Sequence, residues 1–236
     1  MTQLAIITGA SSGIGAATAT LFQAQGFTVI NVSRRKSPSP DVLNICGDLS
    51  HPKACAELAK DLADEVRTLN PRSVCLVHNA AIMLKDSVTD CADDDLAYTL
   101  QVNVGAINTL NRHLLPLMRS DSSVLYVGST LSEKAVAGTF SYVVSKHAQL
   151  GMMRATCQDL MGSGVHTALI CPGFTDTEML RSHVGNDPDV VSVISQLNSF
   201  HRLATPQEIA AVIVFAHGSP VLNGSVIHGN LGQKES

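Results

Sequence analysis

Positive charge is scarce in this chain and nowhere gathered. Lysine and arginine number 16 against 20 acidic residues, a net charge of −4, and the longest basic run is only "SRRK" at Ser33–Lys36. A nucleic-acid surface needs clustered cations, so that class of partner is excluded. Long apolar runs are missing too. None reaches the roughly 18 residues that a membrane helix needs, and no secretory leader opens the chain. The nine histidines are scattered without H-E-x-x-H or any other paired ligand spacing, so no metal site is expected. The six cysteines, at 46, 55, 75, 91, 157 and 171, form no C-x-x-C pair. Several lie in apolar runs, which reads as buried thiols kept reduced. The expectation is a soluble, cytoplasmic protein.

What is present is an alternation. "LAIIT" (4–8), "FTVINV" (27–32), "LNIC" (43–46), "SVCLVHN" (73–79), "SVLYVGS" (123–129) and "HTALICP" (166–172) are short β-rich runs, mostly apolar on both faces. Such runs belong to parallel strands covered on two sides. Between them lie helical patterns. "IGAATATLFQAQG" carries Ile14, Ala17, Leu21 and Ala24 on one stripe and stops at Gly26. A second places Leu58, Leu62, Val66 and Leu69 at helical spacing, and Asp93–Asp95 open a third, where acids suit the helix dipole. The pattern predicts an α/β fold, a Rossmann-like doubly wound parallel sheet of about seven strands with helices on both faces. The 236 residues suit a single domain, 1–236. One connection is too short for a crossover helix. Residues 33–42 include "SPSP", and a loop or single turn is expected there.

After the first strand comes "TGASSGIG", with Gly9, Gly13 and Gly15 between a strand and a helix. Glycine lets the backbone turn sharply and approach a phosphate, and the helix N-terminus supplies N–H donors. The spacing G-x₃-G-x-G differs from the commonest dinucleotide fingerprint, but the strand–loop–helix context favours dinucleotide binding. At the end of the second strand, an NAD site places an acid for the ribose 2′-hydroxyl. Here stand Ser33, Arg34 and Arg35. Arginine grips a 2′-phosphate that a carboxylate would repel, so NADP(H) is expected over NAD(H).

Tyr142 is one of three tyrosines, and it stands four residues ahead of Lys146. On a helix the two share a face. A phenol titrates near 10, too high to exchange protons at neutrality, and a nearby ammonium lowers that value. Ser129 ends a strand at the carboxyl edge, where open α/β sheets place their sites. Asn103 lies in a helical stretch.

Together these features resemble the short-chain dehydrogenase/reductase family. "TGASSGIG" matches its T-G-x-x-x-G-x-G, "HNAA" at 78–81 approximates its N-N-A-G, and Ser129, Tyr142 and Lys146 fit its S…Y-x-x-x-K, with Asn103 as fourth member. "PGFTDT" at 172–177 matches the family's P-G segment. The resemblance implies that Tyr142 is the general acid/base, that Lys146 lowers its pKa, that Ser129 polarises the carbonyl and that Asn103 anchors a relay water. It implies cofactor contacts from Gly9, Ser11, Ser12, Gly13, Ile14 and Gly15, from Ser33, Arg34, Arg35, Asp48 and Leu49, and from Asn79, Ala80 and Ala81. Tyr142, Lys146, Pro172, Gly173, Thr175 and Thr177 would complete that set. His78 and Ala81 depart from the family's Asn and Gly, and the ending "LNGSVIHGNLG" departs from its usual acid-plus-glycines. The implied substrate is a small carbonyl or alcohol, covered by a lid over residues 178–205, where Arg181 and His183, with Lys134 and Lys85, can meet polar groups. A homodimer or homotetramer is implied. A non-catalytic NADP(H)-binding regulator on the same fold remains an alternative, as does a relative that keeps the fold without the redox reaction.

Overall fold

The computed structural model describes residues 2–185 and 187–233. Seven parallel strands form one sheet: β1 (Gln3–Thr8), β2 (Thr28–Ser33), β3 (Leu43–Cys46), β4 (Ser73–His78), β5 (Ser123–Val127), β6 (His166–Pro172) and β7 (Ser225–Gly229), in the order β3-β2-β1-β4-β5-β6-β7. Their side chains alternate between two cores. Leu4 and Ile6 of β1 face one, with Leu58 and Leu62 of α2 (Pro52–Leu69), Leu110 of α4 (Ala106–Leu114) and Met153 of α5 (Phe140–Asp159). Ala5 and Ile7 face the other, with Phe22 of α1 (Gly13–Ala24) and Ile213 of α8 (Pro206–His217). That double covering is why the strands read apolar on both faces.

Among the described residues the remaining α-helices are α3 (Asp93–Leu100), α6 (Glu178–Val184) and α7 (Pro188–Ser195). As expected, Asp93–Asp95 form the first turn of α3. The buried face of α1 matches the expected stripe only in part: Ala17 is buried and Ile14 packs against the second core. Gly15, Ala17, Thr18, Ala19 and Phe22 are buried, while Ala24 is exposed. Helix α1 packs both on the sheet and on α8, so small residues line the close contacts.

No helix joins β2 to β3, as the prolines predict. Asn31, buried in β2, holds this loop by donating to the Arg35 carbonyl (3.0 Å) and to Asn44 Oδ1 (2.9 Å). Strand β7 had no clear signature in the sequence. It lies at the sheet edge, only partly buried. The chain reverses its winding between β1 and β4, which opens a crevice beyond their carboxyl ends.

Candidate active site

The glycine loop leaves β1 at that crevice. Gly9 (φ +74°) and Gly13 (φ +54°) adopt left-handed backbone that other residues rarely take. A Cβ on Gly15 would lie 2.4 Å from the Gly9 carbonyl oxygen and 2.6 Å from Asn79 Nδ2, so this glycine is required by the protein's own packing. Thr8 and Asn79 clamp the loop to β4. Thr8 Oγ1 accepts from the backbone N–H of Asn79 and of Ala80, both at 2.9 Å, and Asn79 Nδ2 donates to the Thr8 carbonyl at 2.9 Å. The Ser12 side chain accepts no hydrogen bond from the first turn of α1, and no acid occupies that turn. Ser11 lies in the turn with its side chain half-buried, and Ile14 packs against the second core.

On the adenosine side, Arg35 donates to Glu178 Oε2 (3.1 Å) and to Ser12 Oγ (3.4 Å), reaching from the β2 end across the loop to α6. Arg34 stands close enough to Asp48 to help lower its carboxyl pKa, behind the larger effect of the Ser50 backbone N–H. The Ser33 hydroxyl donates to the Arg35 carbonyl, and Leu49 is buried in the first core. His78 turns away from the cleft. It is buried, bonded through Nε2 to Asn111 Oδ1 (2.8 Å), and burial pushes its pKa down to about 4.

Ser129, Tyr142 and Lys146 come together at the carboxyl end of β5, and Asn103 reaches them through Ser145 and Gln149. Tyr142 is buried. Desolvation raises its pKa to about 12, and the nearby Ser129 side chain acts the other way. Lys146 Nζ lies 5.3 Å from the phenol ring centroid and donates to the Val127 carbonyl (2.8 Å) and Gln149 Oε1 (3.1 Å). Burial lowers the Lys146 pKa to about 7. The simple expectation of a lysine pulling the phenol down is therefore outweighed here, because removing both groups from water disfavours both charged forms. Asn103 sits in a π-turn, Gln101–Gly105, between α3 and α4. Its side chain accepts from Ile82 N–H (2.9 Å) and donates to the Ile82 carbonyl (2.9 Å) and Ser145 Oγ (2.9 Å).

Beyond β6, Pro172 ends the strand and the Gly173 N–H donates to the Gly229 carbonyl (3.1 Å). A Cβ on Gly173 would meet the Asn230 backbone at 3.0 Å. Thr175 is buried and turns back on the Gly173 carbonyl (3.0 Å). Thr177 caps α6 by accepting from Leu180 N–H (3.3 Å), and its methyl faces Gly13. A cleft of about 570 Å³ separates the glycine loop from this segment, lined by Ser12, Gly13, Thr20, Asp176, Thr177 and Arg181. Arg181 is engaged by Asp176 (2.7 and 3.0 Å). Ala81 is half-buried beside Ala80 at the β4 end of the crevice.

Three contributors escaped the sequence reading. Asp86 grips the start of α5: its Oδ1 accepts from Ser141 N–H (3.1 Å) and its carbonyl from Phe140 N–H (3.2 Å). Ser145 links the Tyr142 carbonyl (2.8 Å) to Asn103. Gln149 is bonded to Lys146. Only Ser145 and Gln149 had a signal, as polar residues on the buried face of a helix.

The chain belongs to the short-chain dehydrogenase/reductase family: residues 9–233 match the family described as enoyl-(acyl carrier protein) reductase. It is an oxidoreductase. It is 26% identical over 243 residues to the 3-oxoacyl-[acyl-carrier-protein] reductase FabG of Vibrio cholerae serotype O1, covering 98% of this chain and 96% of the relative. A crystal structure of a short chain dehydrogenase family protein from Francisella tularensis superposes with a TM-score of 0.87 at 25% identity, covering 98% of both chains. A 3-oxoacyl (acyl-carrier-protein) reductase from Agrobacterium tumefaciens, with NADP bound, superposes with a TM-score of 0.85 at 24% identity, over 98% of this chain and 93% of that one.

Proposed function

We propose that this oxidoreductase moves a hydride between NADP(H) and a small carbonyl or alcohol substrate, with Tyr142 as the general acid/base. The observation that carries the reading is the Lys146 ammonium 5.3 Å from the ring centroid of the buried Tyr142, held at the carboxyl end of β5 by the Val127 carbonyl (2.8 Å). The cofactor supplies the hydride, and the protein supplies binding, orientation and proton handling.

The glycine loop fits a dinucleotide. A Cβ on Gly9 or Gly13 would close the cradle, and α1 offers first-turn N–H donors that no side chain caps. Arg34 and Arg35 would hold the 2′-phosphate. The Arg35–Glu178 pair is exposed at both ends, so it is worth at most about 1 kcal/mol and yields to a phosphate. Asp48 and Leu49 would flank the adenine. Asn79, Ala80, Ala81 and the segment Pro172, Gly173, Thr175 and Thr177 would border the rest of the cofactor. Ser129 would donate to the substrate oxygen while Tyr142 exchanges the proton. Asn103 ties α5 to the β4 loop through Ser145 and Ile82, which fixes the height of Tyr142. Residues 178–205, with α6 and α7, would form the lid that keeps water out. Subunits would pair through α4 and α5 as a dimer or tetramer.

The test is Tyr142→Phe, assayed with NADPH on a panel of carbonyls. Turnover should fall by a factor of at least about 10², while NADPH binding and the melting temperature stay. Full retained activity would overturn the acid/base role. Tight NADPH binding by the wild-type protein without turnover of any carbonyl or alcohol would turn the reading toward a regulator.

A further inference from the structure

Helix α5 carries a buried polar side chain that neither the hydride chemistry nor the hydrophobic core accounts for. Gln149 is only 1% exposed, one turn beyond Lys146. Burying an amide is costly unless both of its ends are paired. Both are. Gln149 Nε2 donates to the Asn103 backbone carbonyl (2.8 Å), and Oε1 accepts from Lys146 Nζ (3.1 Å). The amide can sit only one way round. An ammonium can only donate and a carbonyl can only accept, so exchanging oxygen and nitrogen would break both bonds. The carbonyl it meets belongs to the π-turn, where the helical hydrogen-bond ladder changes its spacing.

We propose that Gln149, anchored on the Asn103 carbonyl, is a positioning residue that fixes the Lys146 ammonium between the Val127 carbonyl and its own amide oxygen, and so sets where its charge lies beneath Tyr142. The inference rests on the reading of Tyr142 and Lys146 as the acid/base pair. The Val127 carbonyl is supplied by β5 whatever the side chains are, whereas the second acceptor depends on the residue at 149. Leucine there would leave an ammonium proton and a carbonyl lone pair unpaired in the core. Glutamate would satisfy the lysine but set a carboxylate against the Asn103 carbonyl. An amide alone serves both, and it adds no charge. It also has no proton to pass on near neutral pH, so its part is to hold the lysine rather than to relay.

The titratable groups facing the ammonium are Tyr142 on the same helix and Cys171 from β6, with Glu133 acting on Cys171 from the turn after β5. Exchanging residue 149 alters none of them. Burial already holds the Lys146 pKa at about 7. An accepted hydrogen bond favours the charged lysine, so removing the acceptor lowers its pKa further, and a carboxylate in its place raises it.

Carbon-13 at the lysine Cε reads this titration by NMR in the full-length protein, with the Lys146 resonance assigned by its loss in Lys146→Met. Gln149→Leu is expected to lower the midpoint by about one pH unit, and Gln149→Glu to raise it. The alkaline limb of kcat/KM should move in the same two directions, with kcat changed more than KM. Midpoints that coincide in the wild type and both variants overturn the proposal, whatever the activity does. If Gln149→Leu does not fold, the near-isosteric Gln149→Glu decides alone. Failure of the acid/base reading looks different: Tyr142→Phe stays active while the Lys146 midpoint still follows residue 149.

Discussion

Tyr142 and Lys146 share one face of α5, yet burial drives them apart, the phenol up to about 12 and the ammonium down to about 7. Two histidines respond to burial in the same sense as the lysine. His78 and His217 are both held near 4, against an ordinary 6.5, because each is desolvated, with His166 adding to the effect on His217. Lowered pKa values mean that the unfolded chain binds more protons than the folded one between about 4 and 6.5. Stability is therefore complete above pH 6.5 and is lost as the pH falls through 4. Thermal melts taken from pH 7 to pH 4 should show that loss, and His78→Asn should make its slope shallower even though the variant begins less stable. Equal slopes would mean that His78 takes up its proton in the folded chain as readily as in the unfolded one.

Helix α5 brings Tyr142 and Lys146 to the cleft, but it does not cap itself. Thr139 makes no side-chain cap, and Asp86 serves instead, gripping Ser141 and Phe140 from the loop after β4. Asp86→Ala should cost about 1–2 kcal/mol, the usual worth of an N-cap, and should reduce kcat by letting the first turn of α5 fray around Tyr142. Asp86→Asn keeps an acceptor and should retain most of both. Calorimetry and steady-state rates on the two variants would separate these outcomes. At the other end of the crevice, Gly15 lets α1 approach Asn79 and the Gly9 carbonyl. Gly15→Ala should lower both stability and cofactor affinity, since the atom it meets at 2.4 Å is backbone and cannot swing aside.

Across the whole molecule, the crevice between β1 and β4 joins parts far apart in sequence: the glycine loop, the Arg34–Arg35 end of β2, and the Thr175–Thr177 segment with Glu178. A ligand held by all of them stabilises the folded chain through mass action. Saturating NADPH at 100 times its dissociation constant is worth about 2.7 kcal/mol, which for a chain of this size is a rise in melting temperature of about 5–10 °C. NADH at the same concentration should give a smaller rise, and Arg34→Asp should reverse the order. If the two cofactors shift the wild type equally, the arginines do not read the 2′-phosphate.

The alternation of apolar runs with helical stripes determined the α/β class. Proline placement determined the helix-free link between β2 and β3, and the Ser129, Tyr142 and Lys146 spacing marked the catalytic candidates. Each of these is a local pattern, set by side-chain period or backbone restriction within a few residues. The tertiary structure decided the rest. It turned His78 into the core, centred the buried face of α1 on Thr18, Ala19 and Phe22, and made β7 a strand. It also placed Asp86, Ser145 and Gln149 around Tyr142 and Lys146. These are outcomes of packing between segments far apart in sequence, as in the bond from Ser141 to Asp86, 55 residues away. Burial, which only the assembled sheet and helices create, then set the ionisation of the site.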